Sequence, residues 1–104
     1  MNLGKIMQQA RKMQENMQKM KTEMAAMEIT GEAGGGMVRI SMGGDRNVRK
    51  VEIDDALWAE NDKSLIEDLM AAASNAALQQ IEALSAEKKK DMMGGMPLPP
   101  GFSL

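Results

Sequence analysis

Leu3, Ile6, Ala10, Met13, Met17, Met20, Met24 and Met27 follow one another in alternating steps of three and four. That is the a/d seam of a heptad repeat, and it predicts one long helix with a narrow apolar stripe. No Pro or Gly interrupts the run between Ile6 and Met27. Such a stripe is not stable alone in water, so it must meet another helix, and Met13, Met17, Met20 and Met24 are expected to form that helix or dimer seam. After Met27 the period changes from helical to alternating. Glu28 to Ala33 reads as a strand and Gly34-Gly35-Gly36 as a turn. Met37 to Met42 then places Val38, Ile40 and Met42 on one face. Gly43 to Asn47 is a second turn, and Val48 to Asp54 a third strand, with Arg49 on the side of Val51 and Ile53.

Asp54 to Trp58 leaves the sheet as an irregular or single-turn segment, and Trp58 is expected to pin it to the sheet. A second helix starts near Asn61 or Asp62, both good N-caps, and ends in Lys88-Lys89-Lys90, which suits the negative end of a helix dipole. Both helices are expected to be roughly 25 residues, about 40 Å long. The fold class is α+β: an α-β-β-β-α chain with a three-stranded antiparallel meander and two long helical arms. The connectivity lets the helices run back along each other and brings Met1 near Lys88-Lys89-Lys90. Residues 1–91 form one domain, and 92–104 a flexible Met/Gly/Pro tail. A lone meander leaves two strand edges unpaired, which predicts a homodimer.

Composition narrows the chemistry. The 104 residues include no Cys, His or Tyr, which removes thiol chemistry, disulfides and the usual zinc ligands. No metal site, cofactor or small-molecule substrate is expected. The start, Met-Asn-Leu-Gly-Lys, has no apolar signal core, and no segment is apolar for long enough to span a bilayer, so the expectation is a cytoplasmic protein without a membrane partner. Net charge is −2, yet residues 1–27 carry five cations against Glu15 and Glu23. A basic arm thus stands on an acidic body.

Ile29 to Asp54, ITGEAGGGMVRISMGGDRNVRKVEID, resembles the core of the YbaB/EbfC family of nucleoid-associated proteins. The first helix is similar in its Met and Gln content, and PLPPGFSL resembles the family's usual C-terminal end. The resemblance implies a homodimer with joined sheets and projecting helical arms. It also implies binding of double-stranded DNA without catalysis, association with the nucleoid, and a role in chromosome organisation or gene regulation.

The DNA-contact residues come from geometry and charge, not from a family motif. Lys5, Lys12 and Lys19 recur every seven residues on a face away from the Met seam, with Arg11 beside them. With Lys88, Lys89 and Lys90 they form the candidate phosphate-binding set. The plainer reading is a solvated face, since Glu15 lies four residues from both Arg11 and Lys19. A different class stays open: a non-enzymatic, chaperone-like module whose flexible Met side chains hold apolar helices. Gly34-Gly35-Gly36 lacks the ending of a phosphate loop and leads into a strand. Asp54-Asp55 has no partner suited to acid/base work.

Overall fold

The computed structural model describes residues 2–93. Helix α1 spans Leu3–Ala26, strands β1, β2 and β3 span Glu28–Ala33, Val38–Gly43 and Val48–Ile53, the short helix α2 spans Asp55–Ala59, and helix α3 spans Lys63–Met93. The strands form one antiparallel sheet in the order β1-β2-β3. The molecule is elongated, 69 × 21 × 18 Å. The α-β-β-β-α order and the three-stranded meander are as expected, with α2 as the single turn between β3 and the last helix.

Alternation sets the sheet's two faces. Ile29 pairs with Met42, Gly31 with Ile40 and Ala33 with Val38, so these residues line one side. That side packs on α3 through Ala73, Ala77 and Ile81, all fully buried. The packing is close because Gly31 has no side chain: a Cβ there would stand 2.1 Å from the carbonyl oxygen of Ala73 and 2.5 Å from the amide nitrogen of Ala77. Gln80 of α3 also donates its side-chain amide to the Thr30 carbonyl at 3.0 Å, so this helix tends the β1 side of the sheet. β3 has no such cover. Val48 is 53% exposed and Val51 42% exposed.

The pairing slips between Ser41 and Met42, whose partners are Lys50 and Val48. Arg49 is the residue left over. Its guanidinium donates to the Ala25 carbonyl in the last turn of α1, where a cation meets the negative helix end. Arg49 therefore fixes the helix to the sheet. In the turn before it, the Asn47 backbone N–H donates to Asp45, and with the Asn47 side chain and Arg49 it holds that carboxyl below the usual aspartate range.

Three expectations need correction. The two long helices are not of similar length: α1 has 24 residues and α3 has 31. α3 runs three residues past the basic run, to Met93, with Lys90 in its last turn; the remainder of the expected tail lies outside the described residues. Nor do the helices pair along their whole lengths. α3 runs opposite to β1 and spends its first turns on the sheet, with Leu69 near Gly34 and Ala73 and Ala77 at Gly31. Only its end reaches α1, so the Met seam is closed in part. Met20 and Met24 are buried, Met13 and Met17 are half-buried, and Leu3, Ile6 and Ala10 are exposed. Truncating Met24→Ala should therefore cost about 2 kcal/mol or more, while Gln14→Ala, on the open face, should stay within about 0.5 kcal/mol. Thermal melts of the two variants read the difference; equal melting temperatures would contradict this packing.

Candidate nucleic-acid interface

α1 begins where Asn2 caps it: the side-chain oxygen accepts from the Lys5 backbone N–H at 3.3 Å. From there to Lys12 every residue is exposed, and the segment carries Lys5, Arg11 and Lys12 without a carboxylate. Lys19 follows one heptad later. Seven residues advance a helix by about 10 Å, so Lys5, Lys12 and Lys19 form a ladder along one face.

Pairing separates these cations from those of the sheet. On the sheet, Arg39 contacts Glu32 at 3.2 Å and Lys50 contacts Glu52 at 3.5 Å. Arg46 meets Glu82 of α3 at 3.0 Å, and Arg49 is committed to α1. Such exposed pairs add little stability, but they offset the charge a phosphate would seek. Among the described residues, none of Lys5, Arg11, Lys12, Lys19, Lys88, Lys89 and Lys90 lies within ion-pair distance of a carboxylate. Glu15 does not hold Arg11 or Lys19.

The lysines of α3 are placed differently from expectation. Lys88 shares a groove with Asn16, Lys19, Met20, Glu23 and Asp91. It therefore sits beside the second half of α1, not beside its start. The reason is the length of α3 consumed in crossing the sheet. Lys19 and Lys88 come together near the body, while Lys12, Arg11 and Lys5 lie progressively further out. The cations make a graded row and not one cluster at the tip.

Two features escaped the sequence reading. Lys21 lines a cavity of about 250 Å³ with Met24, Gly44, Asp45, Arg46 and Ser85, at the base of the arm. The glycine at 44 is the signal: a Cβ there would fall 2.0 Å from the Met24 carbonyl oxygen, so the turn and α1 touch backbone to backbone. The second is Trp58, which does not pin the connection to the sheet. It is 68% exposed, and its neighbour Leu57 is fully buried instead. Asp54 caps α2 by accepting from the Ala56 N–H at 2.8 Å, and the helical turn that follows sends adjacent side chains in different directions. Among the described residues no helix is long and apolar enough to cross a membrane.

The comparisons with known proteins agree with this architecture. An uncharacterized protein, HP0035 from Helicobacter pylori, has a similar crystal structure. Its TM-score is 0.81 at 22% identity, over 90% of this chain and 99% of that one, and the likeness extends to the fold. The model of the YbaB/EbfC DNA-binding family matches residues 1–96, nearly the whole chain. The chain belongs to the YbaB/EbfC DNA-binding family.

Proposed function

We propose that this protein binds double-stranded DNA as a homodimer, through phosphate contacts from Lys5, Arg11, Lys12 and Lys19 of α1 and Lys88, Lys89 and Lys90 of α3. The observation that carries the reading is the contrast in pairing: the arm cations are free of carboxylates among the described residues, and those of the sheet are engaged. Backbone contacts of this kind give affinity with weak sequence preference, as nucleoid organisation or broad gene regulation needs. The location that follows is the cytoplasm, on the nucleoid, and the role requires no catalysis. The second copy pairs along β3, which has Val48 and Val51 open to solvent and lies at the sheet edge beyond the cover of α3. Joining two such edges covers both.

Gel-shift titration of a DNA duplex at two salt concentrations tests the DNA reading, and light scattering at micromolar concentration tests the dimer. Affinity should fall steeply with salt, and the mass at high salt should be twice that of one chain. Salt-independent binding, or a stable folded monomer, would overturn the corresponding half. The exposure of Leu3, Ile6 and Met7 favours a second reading, a module that binds apolar helices of other proteins. Its binding would persist at high salt, because apolar burial is not screened.

A further inference from the structure

The two ends of the molecule carry apolar residues in the open and charge of opposite sign. β3 runs away from α1, so α2 and the start of α3 lie at the end of the sheet far from the arm. There Trp58 stands in solvent beside Ile66, Asn61, Asp62, Lys63 and Glu67, with an open notch of about 140 Å³ between them. Residues 54–68 hold six carboxylates and one cation, Lys63. At the other end Leu3 is 71% exposed and Met7 59% exposed, with Ile6 beside them. On a helix these three share one stripe, bordered by Arg11, and residues 2–12 carry three cations and no carboxylate.

We infer that the arm tip of one copy docks on the Trp58 face of another, Leu3, Ile6 and Met7 covering the indole and Ile66 while the basic arm meets the acidic rim. The occupant is a second copy because its arm matches the patch in both respects, apolar stripe to apolar notch and positive to negative. A nucleic acid would meet the carboxylates as like charges. The indole face also suits a nearby guanidinium such as that of Arg11. The contact joins unlike surfaces, so it does not close on itself, and copies add head to tail. Docking occupies the same arm that the DNA reading uses, which makes self-association and DNA binding compete.

The chain has a single Trp, so its fluorescence reports this patch alone. Without DNA, at low salt, the emission of the full-length protein should shift to the blue as concentration rises. Raising salt from 50 to 500 mM should weaken the association by about tenfold, as screening removes the charge attraction. The deciding experiment adds a silent partner, Trp58→Ser, to dilute wild type. Its intact arm should still shift the wild-type emission, and Trp58→Ser carrying Leu3→Ser and Ile6→Ser should not. Both substitutions fall on exposed positions, and circular dichroism checks folding. An emission independent of concentration, a shift that ignores salt, or a silent partner without effect would each overturn the docking. DNA is absent throughout, so this result stands or falls apart from the DNA reading.

Discussion

Gly31→Ala should unfold the protein at a temperature far below wild type, although it adds a single methyl group. The added carbon would meet backbone atoms of α3, the Ala73 carbonyl oxygen at 2.1 Å and the Ala77 amide nitrogen at 2.5 Å. Side chains relieve overpacking by changing rotamer, at about 1–3 kcal/mol. A helix backbone can yield only by moving as a body. α3 would have to lift from β1 and β2, opening the contacts of Ala73, Ala77 and Ile81 on the core face. The cost should exceed about 3 kcal/mol, a fall in melting temperature of more than about 12 °C in a domain of this size. Gly35→Ala is the control. Gly35 has a positive φ of 67° but nothing within 4 Å of an added Cβ. Its penalty is conformational alone, about 1–2 kcal/mol. Melts of the two variants separate steric clash from backbone strain. If Gly31→Ala melts within a few degrees of Gly35→Ala, the close approach of α3 is not as described.

The same residue shows what was legible in the chain. The strands were readable because alternation and glycine turns are local signals; β1 keeps the bounds its pattern predicts, β2 is shifted by one residue at both ends, and β3 stops one residue early. The start of α3 was readable for the same reason, since Asp62 caps it by accepting from the Leu65 N–H at 3.1 Å. Where α3 sits along the sheet depends instead on Gly31 meeting Ala73 and Ala77, residues more than 40 positions away. No local pattern reports that match. It decides how much of α3 remains to pair with α1, and so it moved Lys88 from the expected arm tip to the Lys19 groove. The pairing of the cations is hidden in the same way. Arg46 and Glu82 are 36 residues apart, and only the fold shows that Arg46 is engaged. Trp58 illustrates a different limit. Composition makes a lone Trp a core candidate, but one turn of α2 buries Leu57 and leaves Trp58 outside.

The Lys5→Gln/Arg11→Gln/Lys12→Gln variant should keep its fold and lose most of its affinity for duplex DNA. Its three positions are exposed, and Gln is a good helix former, so α1 is preserved. Its inner half is fixed by Met20, Met24 and the Arg49 contact to Ala25, which these changes do not touch. What changes is the charge of the free arm, which becomes zero from residue 2 to residue 12. Each lost phosphate contact lowers the slope of log affinity against log salt by about 0.9, so three contacts per protomer lower it by about 2.7 for each arm engaged. The loss should be greatest at low salt, where counterion release contributes most. Lys63→Gln is the matched control. Lys63 is also exposed and outside ion-pair distance of any carboxylate among the described residues, but it lies at the far end of the molecule, beside Trp58. At protein concentrations too low for self-association it should leave both affinity and slope near wild type. A triple variant that is folded and dimeric, yet binds DNA with the wild-type salt slope, would move the interface off the outer arm. Lys19 and Lys88 in their shared groove, with Lys89, Lys90 and, at the arm's base, Lys21, would then be the cations left to carry the phosphates, because those of the sheet are already engaged.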